Sequence, residues 1–343
     1  MNRKMRQILQ IAATYIGTVI GAGFATGREI VEFFTAYGSA GFAGIVISGL
    51  LFVILGTKIM LLSRSIQASS FQELNIYLFG KSAARVVNIL TAVMLFGVTA
   101  VMLSGSGALF AEQLNLPFKA GILISFILTV LVYQRGMKGI LWTNSFVVPI
   151  MVGFSVLLSI SIIADKNLPV FFKPDDFSMQ WKWAISAFAY AAFNLTLAQA
   201  VLVPLSREAE SEAVIKWGGA AGGLGLTFIL LNSHFALYSM PQVLNREIPV
   251  AELVGQLGHA VHLFFVAVVF GEIFTTLIGN LYGLCGELDR NARARSNMVM
   301  LAVLGGCALL SQLGYSSLLH YLYPAFGIMA LIFLIKLWSV KIE

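Results

Sequence analysis

The sequence predicts an all-α membrane protein of about ten transmembrane helices, in two inverted halves of five with discontinuous first and sixth helices. Three observations carry this. Of the 343 residues, 58% are hydrophobic and 11% charged, against about 25% charged in soluble domains. The apolar residues gather into runs of about 20, the length a helix needs to cross a bilayer. A glycine-broken first run is answered, half the chain later, by a run with polar residues in mid-span.

The first run, 8–36, holds Gly17-Thr18-Val19-Ile20-Gly21-Ala22-Gly23-Phe24-Ala25-Thr26-Gly27-Arg28-Glu29. Each interior glycine costs a helix about 1 kcal/mol relative to alanine. Irregular backbone at membrane depth survives only when buried in protein or lining a wet cavity. This helix is therefore expected to break near Gly21–Gly23, facing a solute. Four spans follow at about 40–63, 83–110, 119–134 and 139–164. A loop with Pro169, Pro174, Asp175 and Asp176 leads to the sixth, 183–206, which clusters Asn194, Thr196 and Gln199. The remaining spans are read at 215–239, 258–286, 297–313 and 317–339. A polar stretch at 241–256, with Pro241, Arg246, Glu247, Pro249 and Glu252, is a loop with room for a short amphipathic helix. Five spans separate the broken first segment from the sixth. An odd offset makes the second copy enter from the opposite side, so 8–165 and 181–339 read as inverted repeats within one transporter domain.

Charge supports this topology. With a cytoplasmic N-terminus, only Lys119, Lys166, Lys173, Lys182 and Arg246 fall outside, and Arg28 lies within the first segment. The other lysines and arginines lie inside, as the positive-inside rule requires. The net charge of +6 is thus topological and does not mark a nucleic-acid surface. Both termini are expected in the cytoplasm of a bacterial cell, with the chain in its inner membrane. Cys285 and Cys307 sit in apolar segments and imply neither disulfide nor metal site. The basic N-terminus precedes an apolar run too long for a cleavable signal peptide.

The run Gly-Ala-Gly-Phe-Ala-Thr-Gly-Arg-Glu at 21–29 resembles the first helix of the amino acid–polyamine–organocation (APC) superfamily, whose LeuT-like fold is a five-plus-five inverted repeat. The pattern is similar to the branched-chain amino acid:cation symporter branch, as is Leu313-Gly314-Tyr315 with Tyr323-Pro324-Ala325-Phe326-Gly327, and it resembles short bacterial membrane proteins of the YkvI type. The sixth helix of that family commonly carries glycine, and 183–206 has none. The resemblance implies a secondary transporter, a Na⁺-coupled symporter of an amino acid or related small amine, with lipid and solute as its partners.

The eighth span supplies the strongest local pattern. Glu272, Thr275, Thr276, Gly279 and Asn280 share one helix face by their spacing. Hard cations take oxygen ligands. In the resembled fold, a sodium site joins first-helix carbonyls to eighth-helix hydroxyls. By position these are Gly17 and Ile20, with Thr275 and Thr276. The alternative is that the threonines bond back to their own helix. Glu272 must have a partner or be protonated at mid-membrane. It can couple protons, face a substrate amine (which leaves room for a quaternary amine), or form half of a structural pair. The fifth segment has no lysine or arginine to replace the sodium, which favours Na⁺ over H⁺.

Substrate is expected at the breaks. The amides near Gly21, Ala22, Gly23 and Phe24 suit a carboxylate, with Tyr190, Phe193, Asn194 and Glu272 around it. Arg28 reads either as an outer gate or as a structural partner of Glu29 or Glu32. Ser104-Gly105-Ser106-Gly107 reads as close helix packing. His259 and His262, near a span end, read as interfacial hydrogen-bonding groups in preference to a metal pair. Neither serine nor histidine is arranged for intramembrane catalysis, so no enzyme is expected. Inverted broken helices argue against a channel. A solute sensor that keeps the fold without turnover is the remaining alternative.

Overall fold

The computed structural model describes residues 3–133, 136–164, 181–244, 248–255, 258–285 and 293–341. The loop at Pro169–Asp176 and the residues Arg246 and Glu247 fall outside the described residues, as does the side chain of His320.

The first segment breaks where its glycines predict. Helix α1, Arg3–Val19, ends one residue before Ile20-Gly21, and a single turn, α2 (Ala22–Ala25), leads into α3 (Arg28–Phe33). Gly27, between α2 and α3, has φ 85°, a left-handed conformation that suits glycine. The second span is α4 (Ala40–Leu51) and α5 (Thr57–Ser65), joined by a π-helical turn at Phe52–Gly56. Tyr15 of α1 reaches this turn and donates its hydroxyl to the Phe52 carbonyl at 2.8 Å.

The third span is longer than its apolar core. Helix α6 runs Phe71–Leu114 and kinks at Gly80, φ 75°. Before the kink, residues 71–79 form an amphipathic segment that buries Phe71, Leu74 and Leu78, and the apolar span follows it. This segment starts at a capping box: the Ser70 hydroxyl accepts from the Glu73 amide, and Glu73 Oε2 accepts from the Ser69 amide at 2.7 Å. Helices α7 (Phe118–Tyr133) and α8 (Gly136–Ala164) follow.

The sixth span corrects an expectation. Helix α9, Lys182–Glu208, is continuous. The reason is compositional: no glycine interrupts it, and Asn194 donates back to the Tyr190 carbonyl of its own helix at 3.0 Å. A polar side chain satisfied in this way needs no break.

Helix α10 (Glu212–Ser239) presents Gly218, Gly219, Gly222 and Gly223 to its neighbours. A Cβ at these positions would strike Ile11, Thr57, Tyr15 and Val53. The small residues let α10 pack closely on α1 and on the π-turn, as small-residue stripes do in membranes. The polar stretch holds a 3₁₀ turn, Pro241–Val243, and the short helix α11, Pro249–Gly255. Helices α12 (His259–Cys285), α13 (Arg293–Leu310) and α14 (Tyr315–Ser339) complete the chain.

Among the described residues, six helices are long and apolar enough to cross a membrane, with shorter apolar helices beside them. Outward faces carry Leu50, Ile127, Phe146, Leu309 and Ile335, all exposed. This is the pattern of a multi-pass membrane protein, whose surrounding lipid is as apolar as those side chains. The most buried span is α9, placed at the centre beside the broken first segment.

Candidate functional site

The break in the first segment is the natural origin for a site. Thr276 of α12 donates its hydroxyl to the Ile20 carbonyl at 2.9 Å, and Thr275 donates to the Gly17 carbonyl at 3.3 Å. The single hydroxyl proton of Thr275 is shared with the Glu272 carbonyl of its own helix, the shorter contact at 3.0 Å. Two carbonyls and two hydroxyls thus converge from two elements, all buried. They are hard oxygen donors, the kind an alkali cation takes.

Close packing fixes this geometry. A Cβ at Gly21 would lie 3.0 Å from Thr276 Oγ1 and 3.4 Å from Met102 Sδ of α6. A Cβ at Gly17 would collide with Asn144 Oδ1 of α8. The glycines therefore loosen the helix and also let the broken backbone approach three neighbouring helices.

On the other side of the break stands Glu29. It is buried, and its Oε2 lies 2.7 Å from where a Gly23 Cβ would sit. The carboxylate faces Asn194 and Tyr190 of α9, with Tyr315 and Tyr323 of α14 also within its field. Phe33, Phe34 and Phe52 hold the Tyr190 ring at centroid distances of 5.2, 4.8 and 6.0 Å. Phe193 packs against Tyr323 with the rings tilted and their centroids 4.9 Å apart. The structure thus brings Gly23, Tyr190 and Asn194 around one carboxylate, and Phe193 packs on one of the tyrosines facing it. Phe24 is buried and lines a small apolar cavity of about 30 Å³ with Phe154, Phe265 and Val250. Of Ala22, only the backbone is described.

Glu272 is fully buried, one turn before the threonines, and neither carboxyl oxygen has a hydrogen-bond partner. The same holds for Glu29 Oε1, the Tyr190 hydroxyl, Thr196 Oγ1, both polar atoms of the Gln199 amide, Asn144 Oδ1 and Asn280 Nδ2. Folded proteins leave few buried polar groups unpaired. Several buried polar atoms on α3, α8, α9 and α12 thus have no hydrogen-bond partner among the described residues. Gln199 and Asn280 lie where these two helices touch, since a Cβ at Gly279 would meet Val201 and one at Gly283 would strike Ala200.

Arg28 donates from Nη1 to the Leu244 carbonyl at 3.1 Å, and the Val250 amide donates to the Thr26 carbonyl at 3.1 Å. Leu244 and Val250 are thereby tied to Arg28 and Thr26, at the start of α3 and just before it. His262 is hydrogen-bonded to Gln113 at 2.7 Å, as an interfacial histidine should be. No group of three or more metal-ligating side chains occurs among the described residues. Gly107 meets Phe118, and Gly121 meets the Ser106 carbonyl, so the small-residue run of α6 serves close packing with α7.

Sequence reasoning missed Glu29 as a member of the site, because its neighbour Arg28 offered an obvious partner. Asn144 and Tyr315 were missed as well. The sole available signal was that each is a polar group inside an apolar run.

No family model matches the chain. It is 45% identical over 337 residues, 97% of its length and 96% of the relative's, to the uncharacterized membrane protein YkvI of Bacillus subtilis (strain 168). YyaD, an uncharacterized protein of the same organism, is 28% identical over 94% of this chain and 93% of that one. Among solved structures, a Na⁺-coupled sialic acid symporter in a substrate-bound outward-open state superposes with TM-score 0.67 at 13% identity, covering 97% of this chain and 79% of the other. MhsT in complex with L-phenylalanine gives 0.64 at 14% identity, covering 94% and 87%. Mhp1, a nucleobase-cation-symport-1 family transporter in a closed conformation with bromovinylhydantoin bound, gives 0.61 at 15%, covering 94% and 74%. The fold is accordingly the all-α, LeuT-like membrane fold, and the chain belongs to the family of the membrane protein YkvI.

Proposed function

We propose that the chain is a secondary active transporter, a Na⁺-coupled symporter that moves an amino acid or related small amine by alternating access. The observation that carries this is the pairing of Thr275 and Thr276 with the carbonyls of Gly17 and Ile20. Na⁺ entering between the helices replaces two hydrogen bonds with four ion–oxygen contacts and joins α1 to α12. Coupling follows if the joined state is the one that admits solute. The Na⁺-coupled sialic acid symporter, which shares the fold, supports the same ion.

In this reading, solute lies beside the break at Gly21, Ala22, Gly23 and Phe24, walled by Tyr190, Phe193, Asn194 and Glu272. Arg28 gates the outer side. The halves 8–165 and 181–339 are inverted repeats that rock against each other, and both termini are cytoplasmic in a bacterial inner membrane. The APC superfamily, and its branched-chain amino acid:cation branch, is the proposed wider relationship. A second reading rests on Glu272, whose buried and unpartnered carboxyl is placed to carry a proton in the ion's stead.

Counterflow in proteoliposomes tests the function. Vesicles loaded with unlabelled amino acids and amines should accumulate the labelled counterpart of the transported solute, and Na⁺ should increase the rate. Binding without exchange would make the protein a sensor and overturn transport. Exchange driven by pH alone would favour Glu272.

A further inference from the structure

A carboxylate at membrane depth costs roughly 2.5–3.5 kcal/mol even on lenient scales, so such groups mark ion or substrate paths and have a counter-charge or a proton. Glu29 is 3% exposed and makes no ion pair among the described residues. Arg28, next along the chain, turns to the Leu244 carbonyl. Among the described residues, Glu32, another carboxylate, lies in the field of Glu29. What surrounds it otherwise is neutral and mostly aromatic: the Asn194 amide, the Tyr190 hydroxyl, whose ring is fixed by three phenylalanines, and Tyr315 and Tyr323. A carboxylate among aromatic rings is the chemistry that receives an organic cation: the charge pairs, and the rings supply cation–π attraction.

Tyr315 lines an open cavity of about 270 Å³ with Glu112, Phe118 and Gly314, and its hydroxyl lies 3.2 Å from Thr26 Oγ1, three residues before Glu29. Tyr315 thus borders this cavity and, through its hydroxyl, touches the segment that leads into Glu29. Glu112 gives the cavity a negative group of its own.

We infer that Glu29 receives the ammonium group of the transported solute, so that every substrate carries a positively charged nitrogen and a carboxylate on the solute is optional. This rests on the transport reading above and names its substrate class. It assigns the counter-ion of that nitrogen to Glu29 on α3. The position of Oε2 against Gly23 places that nitrogen at the break itself.

The test uses purified full-length protein and four probes: tetramethylammonium, isobutylamine, L-leucine and isobutyrate. Thermal stabilisation should be saturable with tetramethylammonium or an amine-bearing probe and absent with isobutyrate. Glu29→Gln should weaken that binding at least tenfold, and Glu29→Asp should weaken it less. The response of both variants to Na⁺ should match wild type, which separates this inference from the sodium reading. A second measurement needs no variant. Dicyclohexylcarbodiimide reacts with buried carboxyl groups, and the cationic probes should protect Glu29 from labelling while isobutyrate does not, as read by mass spectrometry. Unchanged affinity in Glu29→Gln, protection by isobutyrate, or no response to any cationic probe would each overturn the inference.

Discussion

Replacing Thr276 by alanine should separate the ion from the fold. In the ion-free form, the substitution removes one hydroxyl that donates to the Ile20 carbonyl at 2.9 Å. A neutral hydrogen bond contributes about 0.5–1.5 kcal/mol net, and one to a charged group about 1.5–3 kcal/mol. With Na⁺ bound, the lost contact is of the second kind. The difference, about 1–1.5 kcal/mol, weakens Na⁺ roughly tenfold. Thermal unfolding in detergent, titrated with NaCl against KCl at constant ionic strength, reads this directly. At Na⁺ ten times the wild-type dissociation constant, linkage gives the wild type about 1.4 kcal/mol of stabilisation and the variant about 0.4 kcal/mol. Thr276→Ser keeps the hydroxyl and should keep most of the effect. A wild type that responds identically to Na⁺ and K⁺, or a Thr276→Ala variant with the wild-type Na⁺ response, would refute the reasoning.

Two further outcomes follow from the packing. Gly23→Ala places a methyl group 2.7 Å from Glu29 Oε2 and 3.3 Å from its Cβ. The carboxylate must move, so amine binding should fall at least tenfold while the Na⁺-induced shift survives, both measured by thermal titration. Tyr15→Phe leaves the Phe52 carbonyl of the π-turn without its 2.8 Å donor and should cost about 1 kcal/mol of stability. Denaturation should show that loss equally in Na⁺ and K⁺; a change in the Na⁺ response would tie the π-turn to the ion site.

Much of the fold is legible in the sequence because lipid simplifies the code. Apolar runs of span length read as helices, and the described helices follow all ten, with an amphipathic segment ahead of the Gly80 kink added to α6 and a polar first turn added to α10. The first break was legible because glycine is costly in a helix and appears there repeatedly. The pairing of Thr275 and Thr276 with Gly17 and Ile20 was legible from the resemblance and the shared helix face. The sixth helix was misread because the symmetry argument outran the residues: a glycine-free run whose asparagine bonds back at i−4 has no cause to break. Glu29 was hidden for a different reason. Adjacent residues on a helix face different directions, so Arg28 and Glu29 part, one to the Leu244 carbonyl and the other to α9. The aromatic shell that gives the carboxylate its meaning comes from the end of α3, the π-turn at Phe52–Gly56, α9 and α14, and no local pattern joins those segments.

The central claim is that ion and solute move together through the break. Proteoliposomes given radioactive sodium and a labelled solute that binds in the thermal screen measure this most directly. The account predicts that uptake of each depends on the other, in a fixed ratio, and that Thr275→Ala/Thr276→Ala abolishes both. Solute exchange at equal rates in Na⁺ and K⁺, with no coupled sodium flux, would contradict it.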